Sequence, residues 1–380
     1  MHTYTRKTKA FCAAMFTLLG MILLFPVFVS SASAQANEPE LWIGVNDERP
    51  DFGTIPPEVH SGVSFAPVRP LADAMQIKLE TAERQLTLSS AGRTLKLLYD
   101  DNLAINDQEQ TFVMWQFLRR DEVMVPVAYI AGYFGYELSV FPDIPLLRLT
   151  SGAAALSDEQ FAEQVREAIA QEREARKPPI YLTFDDGPSK STMDLLDCLK
   201  AYEAKATFFM LGGHMTAYPD AVQRLVREGH QPGLHSMTHE SDKFYRTPKS
   251  ALEEMNQANK RLQKITETRT TLIRTPYGSK PLFTEAYRDT TAQAGYHLWD
   301  WNVDSNDWRY TQEPEKLYEN VLADIRRLKA KQTTPIVLFH DQAATVSVLP
   351  RILEALREDG YRFAPLSEDM EPVNFWHDLR

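Results

Sequence analysis

Ile180-Tyr181-Leu182-Thr183-Phe184-Asp185-Asp186-Gly187-Pro188 is the stretch that decides how this chain is read. Its apolar start predicts a buried strand, which Gly187 and Pro188 stop and turn. Two adjacent carboxylates at a strand end repel each other and lose solvation. A fold keeps such a pair where a metal, a proton or a cation uses it. Neighbouring side chains on a strand point to opposite faces. The turn must therefore re-aim one of Asp185 and Asp186 if both are to serve one site.

Working outward, His235-Ser236-Met237-Thr238-His239 sets two imidazoles four residues apart. On a helical turn that spacing puts both on one face, close enough to share a cation. Ser236 stands where the H-E-x-x-H protease pattern needs its glutamate, so a metalloprotease is disfavoured. A carboxylate is still wanted, and Asp185-Asp186 offers two, one for a metal and one as a base. An Asp/His/His set with positions left for water suits catalytic Zn²⁺. The same donors accept Co²⁺, Ni²⁺ or Fe²⁺.

Arg274-Thr275-Pro276-Tyr277-Gly278 follows the strand-like Leu272-Ile273. Trp299, Trp301 and Trp308 lie among Asp300, Asp304 and Asp307, a mixture that suits a sugar groove as well as a packed core. Leu338-Phe339-His340-Asp341 ends another apolar run with a histidine, a candidate acid or base. Between these motifs, strand-like and helix-like segments alternate from Ile180 onward. The helical ones are 220–228, 250–266, 314–329 and 352–357. Such alternation predicts an α/β domain with a mainly parallel sheet or barrel. In such barrels chemistry gathers at the C-terminal strand ends, where these motifs fall.

T-F-D-D-G-P, H-S-M-T-H, R-T-P-Y-G, D-S-N-D-W and L-F-H occur in that order over residues 183–340. In this the chain resembles the polysaccharide deacetylase family, carbohydrate esterase family 4, also called the NodB homology domain. The resemblance implies a distorted (β/α) barrel of seven strands over residues 178–370, one divalent metal, and removal of acetyl groups from a polymer. It implies Asp185 as general base and Asp186, His235 and His239 as metal ligands. Arg274 would orient Asp185 and keep it ionised. The Tyr277 backbone N–H would help hold the oxyanion. Asp304 would orient His340, the general acid. Trp308 and Leu338 would line the acetyl pocket, with Tyr277 also touching substrate. One departure is visible: the family's common G-N-H is Gly233-Leu234-His235 here. A muramic-acid-specific branch typically replaces the second aspartate of the first motif, and Asp186 is intact. N-acetylglucosamine of peptidoglycan is therefore the expected substrate, with chitin oligosaccharides and acetylated xylan as alternatives. A non-catalytic wall-binding protein would be expected to lack a ligand or the base, and none is missing.

Residues 41–150 hold an internal repeat. Phe65-Ala66-Pro67-Val68-Arg69-Pro70-Leu71-Ala72 echoes Met124-Val125-Pro126-Val127-Ala128-Tyr129-Ile130-Ala131. Each copy predicts a strand, a Pro turn, a short helix and another strand. This resembles the copper amine oxidase N-terminal-like domain, a small α+β module that implies a spacer or wall-binding role. The first copy has Gln76 where the second has Gly135. Residues 156–177 predict a connecting helix with Ser157 as N-cap, Gln160 completing a capping box, and Pro178-Pro179 ending it.

Residues 1–34 read as a secretory signal peptide, with an uncleaved anchor as the rival. Arg6, Lys7 and Lys9 precede an apolar run, and Ser31-Ala32-Ser33-Ala34 supplies a small-residue cleavage site. The expected location is outside the membrane or in the envelope of a bacterium, touching the membrane only through that segment. Cys198 is then the only cysteine left, so no intramolecular disulfide can form. The net charge is −11; without the three bases of the first 34 residues it is −14. That excess of acid argues against nucleic acid as a partner.

Overall fold

The computed structural model describes residues 41–380; the expected signal segment lies outside them. The chain divides at Gln171/Glu172 into two compact units. Among the described residues no helix is long and apolar enough to cross a membrane.

In the first unit both copies of the repeat run strand to helix. Val63–Pro67 leads into Val68–Ala74, and Glu122–Pro126 into Val127–Tyr133. The two strands pair antiparallel, with Val125 opposite Ala66. Gln76 takes φ +54° where Gly135 takes +84°, so the first copy keeps the left-handed turn without glycine. That costs about 1 kcal/mol or more. The strand that follows the first helix, Lys78–Ala82, begins a five-stranded antiparallel sheet that runs to Thr111–Val113 before the second copy starts. The helix Asp158–Arg176 starts with the expected capping box, Ser157 and Gln160 each bonding the other's backbone N–H. Its Phe161, Ala162, Val165 and Ile169 pack with Phe141 and Leu146.

In the second unit every strand pairing is parallel. The order is His297–Leu298, Leu272–Ile273, Gln231–Leu234, Thr207–Met210, Pro179–Asp185, Ile336–His340, Val303–Asp304. An eighth strand, Arg362–Ala364, adds beside the start of Pro179–Asp185. The two edge strands are consecutive in the chain, joined only by residues 299–302. A link that short forces the sheet to curl until its edges approach, which gives the distorted half-barrel.

The period of two assigns the faces of the central strand. Ile180, Leu182 and Phe184 are fully buried in the core under the helices, where Phe184 stacks between Phe208 and Phe339. Tyr181, Thr183 and Asp185 therefore face into the curl. Tyr181 joins the inner cluster of Phe209, Leu272, Trp299, Ile336 and Leu366. Helices Pro219–Arg227, Pro248–Thr266 and Pro314–Ala330 lie within a few residues of their expected bounds. Ala343–Glu358 runs longer than expected and carries Pro350 inside it.

Candidate active site

Asp185 is the last residue of its strand and the Cα partner of His340, the last residue of the next. Asp186 takes φ +69°, so the chain leaves the strand and its carboxylate swings away. This is the re-aiming that the adjacent pair required. Asp186 Oδ1 lies 3.5 Å from His235 Nε2 and 3.5 Å from His239 Nε2.

Three observations test whether a metal fits there. Asp186 Oδ1 is buried and has no hydrogen-bond partner. One donor atom from each of Asp186, His235 and His239 lies within 4.8 Å of the others. The His235 Nδ1 sits 2.8 Å from the Arg274 carbonyl. A proton on Nδ1 donating to that carbonyl leaves the Nε2 lone pair free for a cation. Burial pushes the His235 pKa down to about 3, favouring that neutral form. The residues present fit a divalent cation.

The two histidines do not sit on a helical turn, contrary to the expectation from their spacing. The strand Gln231–Leu234 ends just before His235, and a loop with left-handed Ser236 (φ +80°) and His239 (φ +62°) carries them. Buried Glu254, from helix Pro248–Thr266, holds that loop. It accepts the N–H of Met237 at 3.0 Å, the N–H of Thr238 at 3.1 Å, and the Thr238 hydroxyl. The His239 N–H donates to Ser236 Oγ at 3.0 Å. The sequence held no signal for Glu254 beyond an acidic residue on a helix's apolar side. Leu234, the departure from the G-N-H pattern, is fully buried in the core.

Asp185 is buried, and Arg274 Nη1 donates to its Oδ1 at 2.9 Å and to Thr183 Oγ1 at 2.6 Å. The Arg274 guanidinium also donates to the carbonyls of Trp299 and Asp300 and lies over the Phe209 ring at 4.2 Å. Burial drives the Asp185 pKa above the usual carboxylate range, while Arg274 and His340 pull the other way. Arg274 thus favours the ionised form, but burial has the larger effect.

Asp304 is not the partner of His340; Asp307 is. His340 Nδ1 lies 2.6 Å from Asp307 Oδ1, and the His340 N–H donates to Asp307 Oδ2 at 2.6 Å. The Thr345 hydroxyl donates to the same Oδ2. The carboxylate of Asp304 instead accepts the N–H of Asn306 at 2.8 Å, closing its own turn. That turn brings Asp307 round to the histidine. Burial alone would lower the His340 pKa, but the Asp307 hydrogen bond and charge, with Asp185 and Asp186, raise it to about 9.

A histidine needed in its protonated form keeps working until pH rises through its pKa, so the alkaline limb of kcat falls near pH 9. Removing the Asp307 charge and hydrogen bond leaves burial opposed only by Asp185 and Asp186. In Asp307→Asn the limb therefore moves down from about 9, and a kcat profile between pH 6 and 10 reads it. The same raised pKa means that the pair's contribution to stability is complete below about 6.5 and lost as pH passes 9.

Leu338 is buried two residues before His340, on the same face of its strand. Tyr277 (φ +66°) and Trp308 keep exposed side chains, and the Tyr277 hydroxyl donates to the His239 carbonyl at 3.1 Å. Asp186, His235 and His239 converge, and Asp185 lies between Arg274 and the His340 strand end. Asp304 makes no hydrogen bond to His340.

Both units of the chain resemble known protein families. The family model described as polysaccharide deacetylase matches residues 172–299, and that of the copper amine oxidase N-terminal domain matches residues 44–142. A peptidoglycan-N-acetylglucosamine deacetylase of Bacillus cereus is 35% identical over 261 residues, 68% of this chain and 95% of that protein. The chain belongs to the polysaccharide deacetylase family. A putative polysaccharide deacetylase of Bacillus subtilis is 44% identical over 197 residues, 51% of this chain and 69% of its own. The crystal structure of the polysaccharide deacetylase Bc1974 from Bacillus cereus is 39% identical. It covers 53% of this chain and 99% of that one, with a TM-score of 0.50. As a polysaccharide deacetylase the chain is a metal-dependent hydrolase. The family match ends before Asp307 and His340, so the pairing of those two rests on the structure.

Proposed function

We propose that this deacetylase removes the N-acetyl group from N-acetylglucosamine of peptidoglycan in the envelope of a bacterium, outside the membrane. The observation that carries the reaction is the side-by-side placement of Asp185 and His340 on adjacent strand ends, beside a buried carboxylate oxygen with no partner. The Bacillus cereus relative named peptidoglycan-N-acetylglucosamine deacetylase supports the substrate. Export rests on the basic-then-apolar start and its small-residue cleavage site.

Asp186, His235 and His239 would hold the cation, and their mixed N/O donors favour Zn²⁺. When bound, it polarises the acetyl carbonyl and makes its water easier to deprotonate. Asp185 takes a proton from the water that adds to the carbonyl carbon, and Arg274 fixes the carboxylate for that transfer. The Tyr277 N–H donates to the oxygen on which charge develops, a contribution of about 3 kcal/mol. His340, charged and oriented by Asp307, gives its proton to the sugar nitrogen as the C–N bond breaks. Acetate and a free amine leave. Leu338 and the open ring of Trp308 border the acetyl group.

Acetate release measured side by side on peptidoglycan, chitin oligosaccharides and acetyl-xylan, with and without chelator, tests this reading. Highest kcat/KM on peptidoglycan, abolished by chelator and restored by Zn²⁺, is expected. Preference for another polymer overturns the substrate, and chelator-resistant turnover overturns the mechanism.

A further inference from the structure

Asp300 is fully buried, and none of the roles above uses it. Its carboxylate accepts the Ser279 N–H at 3.0 Å, the Ser279 hydroxyl at 2.5 Å and the Phe375 N–H at 2.8 Å. Its carbonyl accepts from Arg274 Nη2 at 2.9 Å, and its N–H donates to the Val373 carbonyl at 2.8 Å. One residue thus joins Arg274, the turn at 275–279 and the end of the chain.

The last residues add contacts of their own to that turn. The Trp376 indole N–H donates to the Ser279 carbonyl at 3.3 Å. Phe375 packs edge-on against Trp301, with centroids 5.1 Å apart. Asn374 is buried, and its amide donates to the Leu298 carbonyl at the edge of the sheet. A Cβ placed on Gly278 would lie 3.1 Å from Trp301 and 3.2 Å from Phe375, so both rings back the turn closely. The segment is itself anchored, since Asp378 pairs with Arg288 at 2.9 Å.

The turn needs such support. Tyr277 is left-handed (φ +66°), a conformation that a residue with a Cβ keeps only where its surroundings impose it, and Gly278 follows it at φ +80°. Tyr277 is 62% exposed; its hydroxyl bonds the His239 carbonyl, and the Tyr245 hydroxyl donates to the carbonyls of Pro276 and Gly278, so residues 373–378 support the face of the turn that these bonds do not reach. The supporting residues 373–378 lie beyond the family match at 172–299 and beyond the domain end expected at 370.

We infer that residues 373–378, fastened through Asp300, are a positioning element of the active site. They fix the 275–279 turn from behind, so that the Tyr277 N–H and Arg274 keep their aim. The inference rests on the deacetylase mechanism proposed above. It places the tail's effect on the chemical step, not on metal or substrate binding.

The full chain carrying Phe375→Ala or Asp300→Asn tests it, with a soluble acetylated chitin oligosaccharide as substrate. The expected result is a kcat about 10–100-fold lower, with KM changed less than about two-fold. Bound Zn²⁺ per chain stays the same. Amide exchange quickens at 275–279 and stays slow at 235–240. Phe375→Leu, which keeps most of the ring's volume, restores most of the rate. Phe375 is only half-buried, so Phe375→Ala carries the test if Asp300→Asn does not fold. Unchanged kcat in Phe375→Ala overturns the inference, as does a loss that appears in metal content or KM. If wild-type protein releases no acetate, the reading of function fails. The exchange experiment then decides: unchanged exchange at 275–279 in Phe375→Ala overturns the positioning role.

Discussion

Asp185→Asn loses turnover by about 1,000-fold or more, while the protein still binds one divalent cation per chain. The amide matches the carboxylate in shape but cannot take a proton from water. The metal set does not depend on it: Asp186, His235 and His239 supply the three donors, and Asp185 Oδ2 lies farther from His235 Nε2, at 3.8 Å. A structural cost accompanies the catalytic one. Arg274 is fully buried, and the substitution removes its only carboxylate contact among the described residues. Breaking such a pair costs about 3–5 kcal/mol. The remaining bonds of Arg274 to Thr183, Trp299 and Asp300 and its packing on Phe209 place this case at the low end. A lowered melting temperature with cooperative unfolding is therefore expected. Metal analysis and single-turnover acetate release on the same sample check both parts. Lost metal with retained turnover would exchange the roles of the two aspartates.

His239→Ala and His235→Ala each lose the metal, with affinity reduced by more than about 100-fold, and lose activity with it. The pair of variants separates ligation from folding. His235 is buried and bonded to the Arg274 carbonyl, so its removal also leaves a cavity and an unpaired carbonyl beside the base. The His239 side chain is 26% exposed, so His239→Ala leaves the fold nearly untouched. Calorimetric titration of Zn²⁺ into each apo variant gives the readout. Wild-type stoichiometry and affinity in His239→Ala would remove it from the ligand set.

Much of this site was legible along the chain because its chemistry sits in short, contiguous motifs at strand ends. Apolar runs located the strands, and the residues just past them had to lie at one end of a parallel sheet. What spacing could not supply was local conformation. The H-x3-H pattern suits a helical turn, yet left-handed Ser236 and His239 make it a loop. Nothing near that loop in sequence points to Glu254, which holds it from a helix over a dozen residues away.

Asp304 and Asp307 show where the sequence by itself stops. Both are acidic and both lie in one short motif before a histidine-bearing strand. Local reading has no means of ranking them, because the choice depends on how Val303–Asp304 pairs with Ile336–His340. In that register Asp304 lies opposite Leu338, and the turn delivers Asp307 to His340. The same holds for Asp300 and Phe375, joined across 75 residues. The sequence by itself determined the class of fold and singled out the candidate ligands and base, because strand periodicity and ligand type are local properties. Tertiary structure alone decided which aspartate charges His340 and what braces the Tyr277 turn, because those partners meet only when the sheet curls.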